Sequence, residues 1–320
     1  MSRALTIGNC LPRTLSHYLK ELEATLSRVG TPFELDNQLP SAEGASKTQK
    51  AQYFAYLTSR YRRNSESNYF QVWPATGLLE ALFMDRWKAP SYVIIHDPTP
   101  LRHQFGFGKV AHSLAEKKRL KRVTVVNHTN DAYSELRSLY PHAKHVQMLH
   151  PILSEQQIPE KEEGSVLVAG QFKPARDLDL LSALGPQLRR RGFHPKIVGP
   201  GWPRDIPGWD VTDSFLSEEE LSNAIGRAGA LCIPYRRYFQ SNILVRGLEM
   251  GTLGVSPKTS FANDVLGNES ALIVNANDSV GAWVESIEAA LQSGNQAASR
   301  FAAYKQACDQ SWTAGLCELG

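Results

Sequence analysis

The stretch Ile233 to Gly254, IPYRRYFQSNILVRGLEMGTLG, constrains the fold most. It continues the apolar run Ala230–Leu231–Cys232–Ile233, which reads as a buried parallel strand. Pro234 stops the strand, and a polar, basic loop runs from Tyr235 to Gln240. Ser241–Asn242 then opens an apolar-periodic segment that ends near Gly251. Strand, loop, N-cap and helix in this order put a helix N-terminus at the carboxyl edge of a sheet. Orphan N–H groups there, with two arginines close in sequence, suit an anionic group such as phosphate.

Similar units recur along the chain, which predicts an α/β protein with parallel sheets. In the first half, strands are expected at Ala4–Ile7, Phe33–Leu35, Tyr69–Trp73, Tyr92–His96 and Val123–Val126. Helices are expected over His17–Val29 and near residues 76–86, 110–121 and 130–139, with residues 40–50 as a flexible loop. The polar stretch after Pro151, up to Gly164, reads as a linker. Beyond it come strands at Val166–Gly170, Lys196–Gly199, Trp209–Val211, Ala230–Ile233 and near 253–256 and 272–274. Between them lie helices at Leu178–Arg191, from a capping-box-like start at Ser217, and from Ser241; helices at Val280–Gln292 and Ala297–Cys308 close the chain. A length of 320 residues suits two domains of about 150 each. The expected division is 1–155, 156–295, and a C-terminal helix, 296–320, able to cross back to the first domain.

No run of about 18 apolar residues is present, and the N-terminus reads as a first strand rather than a signal peptide, so a cytoplasmic protein is expected. The four cysteines show no paired spacing and read as reduced structural thiols. Residues 1–155 carry 20 Lys+Arg against 13 Asp+Glu, whereas residues 156–320 carry 15 against 19. The cations concentrate at Arg60–Arg63 and Lys117–Arg122. They read either as solvated helix faces or as a surface for anionic lipid or an acidic acceptor, at the inner face of a membrane. No HExxH, CxxC pair, P-loop, GxSxG or GxGxxG is present. Nucleic acid is not an expected partner.

The residues at the strand ends carry a resemblance. Gly170–Gln171–Phe172–Lys173–Pro174–Ala175–Arg176 resembles the first C-domain loop of family 4-type, retaining glycosyltransferases with the GT-B fold. In that family two cations of this loop hold the donor diphosphate. Gln171 and Arg176 stand at their positions, with Lys173 between them. Ile197–Val198–Gly199–Pro200–Gly201 resembles the next strand and glycine loop, and Phe215–Leu221 the segment beside the nucleotide base. Pro234–Tyr235 and Gln240–Ser241–Asn242 resemble a variant of the donor loop, in which N–H groups after Ser241, beginning with Asn242 and Ile243, meet the diphosphate. The family's usual pair of glutamates falls here on Tyr238 and Arg246. Glu249 is the nearest carboxylate, about 60° from Arg246 around the helix, and reads either as a ribose contact or as a partner of Arg246.

In the first half, Val93–Ile94–Ile95–His96–Asp97–Pro98 places His96 at a strand's carboxyl end, where the family has a histidine near the reacting sugar. Asp97 either orients that ring or caps the turn. Gly8–Asn9 resembles the acceptor-side glycine loop, and His128 reads as structural or cleft-lining.

The resemblance implies two Rossmann-like domains facing a cleft. It implies transfer of a sugar from a nucleotide-diphosphate donor to a glycan, lipid-linked or small-molecule acceptor, as in polysaccharide biosynthesis. Retention, no metal and no cofactor are expected. The altered glutamate pair keeps an alternative open, a catalytically degenerate accessory or binding subunit.

Overall fold

The structure, a computed structural model, describes residues 4–43, 47–60, 68–100, 104–275 and 278–319. It divides into two compact units, Met1–Pro151 with Ala307–Gly320, and Ile152–Gln306.

The first unit alternates β1 (Leu5–Gly8), α1 (Ser16–Arg28), β2 (Phe33–Leu35), α2 (Lys47–Arg60), β3 (Asn68–Gln71), α3 (Leu79–Met84), β4 (Ser91–Ile94), α4 (Lys109–Lys117), β5 (Val123–Asn127), α5 (Asn130–Leu139) and β6 (Lys144–Gln147). Its sheet has the order β2-β1-β3-β4-β5-β6, and every pairing is parallel. β4 and β5 are buried along their whole length, whereas edge strand β2 has no buried residue and edge strand β6 buries only Val146. A parallel sheet covered by helices on both faces has this gradient. Residues 47–50, expected in a loop, belong to α2 instead. Buried Tyr53, Tyr56 and Leu57 explain the helix, because tertiary packing overrides a polar start. Of the expected basic cluster at 60–63, residues 61–63 lie outside the described residues.

The second unit runs β7 (Ser165–Ala169), α6 (Leu178–Arg190), β8 (His194–Val198), β9 (Asp210–Thr212), α7 (Glu218–Arg227), β10 (Ala230–Cys232), α8 (Asn242–Glu249), β11 (Gly254–Pro257), α9 (Ser260–Leu266), β12 (Ile273–Val274) and α10 (Val280–Gln292). A final helix, α11 (Ala297–Leu319), is longer than the sequence suggests and belongs to the second unit up to Gln306 and to the first from Ala307. The sheet order is β12-β11-β10-β7-β8-β9, again all parallel. These are two Rossmann-like domains, the predicted fold class. Among the described residues no helix is long and apolar enough to cross a membrane.

Strand order fixes where loops can form a crevice. In the second sheet the chain steps outward from β7 through β8 to β9, then restarts on the other side with β10. The loops after β7 and β10 therefore diverge at a topological switch point, the usual ligand position of an open α/β sheet. The first sheet has its own switch point between β1 and β3.

Candidate functional site

At the second unit's switch point, residues from three strand ends converge. Gly170 ends β7 with φ +92°, and a Cβ there would lie 3.6 Å from Arg176 Nη2 and 3.8 Å from the Ile243 side chain. Gly199 follows β8 with φ +138°, and its missing Cβ would stand 2.4 Å from the Gly170 carbonyl oxygen. Both positions need glycine for their backbone conformation, and Gly199 needs it for close approach as well. The loops after β7 and β10 are joined by an isolated bridge between Arg176 and Tyr235. Asp177 N–H donates to Pro234 O at 2.7 Å, and Arg236 N–H donates to Ala175 O at 2.9 Å.

Arg176 is the centre of this arrangement. It is 3% exposed, and its Nη2 donates to Ala169 O at 2.7 Å. Its guanidinium carbon sits 4.1 Å from the Tyr235 ring centroid and 5.4 Å from that of Trp202. Trp202 is itself held by its indole N–H on Gly170 O at 2.8 Å. Burial lowers the Arg176 pKa, while Tyr235 and Cys232 oppose that shift. Nε and Nη1 have no hydrogen-bond partner, and no carboxylate pairs with the guanidinium among the described residues. A buried cation flanked by aromatic faces, with two N–H donors unfilled, is incomplete without an anion.

The other expected donor residues divide in two. Ser241 is the N-cap of α8, but its hydroxyl does not close back on the helix, and the first turn holds no acid. Asn242 and Ile243 begin α8 at this edge, and Ile243 packs within reach of Gly170. Gln171 is exposed and Lys173 half-buried on the same loop. Arg246 and Glu249, in contrast, are built into the packing of their own unit. Arg246, 2% exposed, donates from Nε and Nη2 to Ser222 Oγ at 3.0 and 2.7 Å and pairs through Nη1 with Glu218 at 2.8 Å. It locks α8 onto α7. Glu249, whose partnership with Arg246 was one of the two expected readings, instead accepts from Leu153 N–H at 2.9 Å, and its carbonyl accepts from Gln157 N–H at 2.8 Å. Tyr238 is also fixed, through Ser256 and Thr259. The two arginines of the basic loop do not supply the buried charge. Arg236 is paired with Asp177 and Asp179, and Arg237 lies over the Phe239 ring.

In the first unit, β1, β3 and β4 bring their own residues together. Val72 N–H donates to Gly8 O, and Val72 O accepts from His96 Nε2, both at 2.9 Å. Asn9 forms a short turn by accepting from Leu11 N–H at 3.0 Å. The His96 ring stacks on Trp73 at 5.4 Å and meets the Tyr18 ring edge-on at 5.0 Å. Asp97, the next residue, is half-buried. Behind His96 lies His128, whose Nδ1 donates to Met148 O at 2.7 Å, leaving Nε2 to accept from Tyr18 O–H at 2.7 Å. Burial, then the neighbouring His96 and His150, holds His128 well below its ordinary pKa. Burial likewise pushes His150 down to about 3. Tyr18, Trp73, His150 and Trp202 escaped the sequence reading. An aromatic residue next to a strand-end loop was the only available signal for Trp73 and Trp202.

No protein-family model matches the chain, and no curated protein matches it. Solved structures do. The chain is similar to an alpha,alpha-trehalose-phosphate synthase (UDP-forming) from Burkholderia vietnamiensis, with TM-score 0.66 and 11% identity over 100% of this chain and 99% of that one. A mutant of S. aureus TarM, solved with Fondaparinux, alpha-GlcNAc-glycerol and UDP, matches with TM-score 0.59 and 11% identity over 85% of this chain and 57% of that one. The GtfA/B complex matches with TM-score 0.55 and 14% identity over 84% of this chain and 60% of that one. The chain thus spans little more than half the length of the last two. These likenesses identify the fold as GT-B.

Proposed function

We propose that the chain is a glycosyltransferase that moves a sugar from a nucleotide-diphosphate donor to a glycan, lipid-linked or small-molecule acceptor, with retention and without metal. The observation that carries this reading is Arg176, buried, without a carboxylate partner among the described residues and holding two unfilled N–H donors at the switch point beside the α8 N-terminus. The UDP-forming and UDP-bound proteins that share the fold support a uridine nucleotide as the first ligand to try.

In this reaction the bond between the anomeric carbon and the phosphate oxygen breaks. Positive charge develops on the sugar ring and negative charge on the departing diphosphate. Arg176, with Lys173 and the α8 N–H groups, meets that charge without reorganising. The leaving phosphate oxygen takes the acceptor's proton, so no separate protein base is needed. His96, braced by Val72 and Trp73, positions the donor sugar.

Calorimetry with UDP tests the site. Arg176→Ala should weaken binding by about 1.5–3 kcal/mol, the worth of hydrogen bonds to a charged group. His96→Ala should keep that affinity and lower turnover of a UDP-sugar, because a contact made chiefly in the transition state appears in the rate. Unchanged UDP affinity in Arg176→Ala removes the donor assignment. The accessory-subunit reading is favoured by one observation: Tyr238, Arg246 and Glu249 are all engaged in packing. UDP binding without turnover of any UDP-sugar would select it.

A further inference from the structure

The loop from β3 to α3 carries Trp73, the ring that stacks on His96. One buried chain of polar groups ties both ends of this loop. At the near end, Trp73 O accepts from Gln71 Nε2 at 2.8 Å and from the Cys10 thiol at 3.4 Å. At the far end, one oxygen of Glu80 accepts from Thr76 N–H at 3.0 Å and from Thr76 O–H at 2.5 Å. Tyr53, reaching in from α2, joins the two ends. Its O–H donates to the other Glu80 oxygen, and its own oxygen accepts from Gln71 Nε2 at 2.9 Å. Glu80 and Gln71 are fully buried, and Tyr53 is 2% exposed.

The chain has one open end. Gln71 Oε1 is buried without a hydrogen-bond partner, against Gly8, where a Cβ would stand 2.5 Å from it. Trp73 O offers only lone pairs, so Nε2 has to face it and Oε1 is left over. The three donors converging on Glu80 suit a charged carboxylate. An added proton belongs on the oxygen facing Tyr53, because the Thr76 backbone N–H cannot turn away from the other. Glu80 then donates to the Tyr53 oxygen, and Tyr53 O–H needs a new acceptor. A half-turn of the Gln71 amide supplies Oε1. The same half-turn sets oxygen against Trp73 O and removes its N–H donor.

We propose that Glu80 is a positioning residue of the first unit: its carboxylate, acting through Tyr53 and Gln71, holds Trp73 against His96, and its protonation turns the Gln71 amide and releases Trp73. Its use in glycosyl transfer rests on the reading of His96 given above. Cys10, Tyr53 and Tyr140 are the titratable groups around Glu80 among the described residues, and burial raises the pKa of all three. Tyr69 stands beside Tyr53, and His96 lies against Trp73. Burial pushes the Glu80 pKa up to about 7, so the carboxylate predominates above that pH and the acid below it.

The indole N–H resonance of Trp73, assigned by its loss in Trp73→Phe, tests the coupling in the full chain. It should shift with a midpoint near pH 7 in the parent protein. In Glu80→Gln the shift should vanish, while UDP affinity stays as in the parent. In Tyr53→Phe it should vanish too, although the Glu80 carboxyl carbon resonance still titrates. Turnover of a UDP-sugar should fall about tenfold from pH 8 to pH 6, and Glu80→Gln should abolish that fall. A Trp73 resonance that does not move in the parent overturns the proposal. So does one that still titrates in Glu80→Gln, which would assign the change to His96, or in Tyr53→Phe, which would bypass the chain. Titration as expected without turnover of any UDP-sugar would sink the glycosyltransferase reading and leave this coupling standing.

Discussion

Glu80 is a carboxyl group with no cation paired to it among the described residues, sealed in the core of the first unit. One oxygen accepts from Thr76 N–H at 3.0 Å and Thr76 O–H at 2.5 Å, and the other from Tyr53 O–H. Desolvation pushes its pKa up to about 7, against the pull of those hydrogen bonds. A folded pKa above the unfolded value means stability that is complete below about 4.5 and lost as pH rises through about 7. Glu80→Gln should remove that loss and gain on the order of 3 kcal/mol relative to the parent at pH 8, read from urea midpoints across pH. His128 and His150 work in the opposite sense. Their folded pKa values lie below 6.5, so stability is present above that pH and drains away as pH falls, for His150 as it approaches about 3. The two losses overlap, and the first unit should be most stable near pH 6.5, where the histidine loss has not begun and the Glu80 loss is incomplete.

Single elements differ in how much of them a reader can see in the chain. Ser217 and Glu220 form the capping box their spacing announces, because both partners sit within one turn. Gly170 and Gly199 are visible as strand-end glycines. The burial of Arg176 is not visible, since Tyr235 and Trp202 reach it only after the sheet is assembled. α2 hides behind a polar start, β6 behind the half-polar KHVQ, and α9 behind its seven-residue length. Arg246 shows the same limit: its place on α8 is legible, and its direction toward Glu218 and Ser222 is not. The α7–α8 lock gives a prediction of its own. Arg246→Ala should lower stability by about 1.5–3 kcal/mol in denaturant titration, while calorimetric UDP affinity stays near the parent value. A large loss of affinity at unchanged stability would return Arg246 to the donor site.

For the molecule as a whole, chain order and spatial order disagree. The first unit is begun by residues 1–151 and completed by 307–320, after the entire second unit has been made. Trp312 is fully buried there, donates to Leu149 O at 2.8 Å and packs near Phe70 at 5.9 Å. Asp309 pairs with Arg28 at 2.9 Å. Trp312→Ala should therefore destabilise the first unit by about 3–5 kcal/mol, seen as an earlier thermal transition. The exposed residues around Ser154–Glu155 and Gln157–Ile158 offer a place where the backbone can be cut. Such a cut separates two polypeptides, but the second still carries the helical segment from Ala307 that finishes the first unit's core. The first unit then needs a segment of the other polypeptide to complete its core, as one fragment of a split protein needs its second.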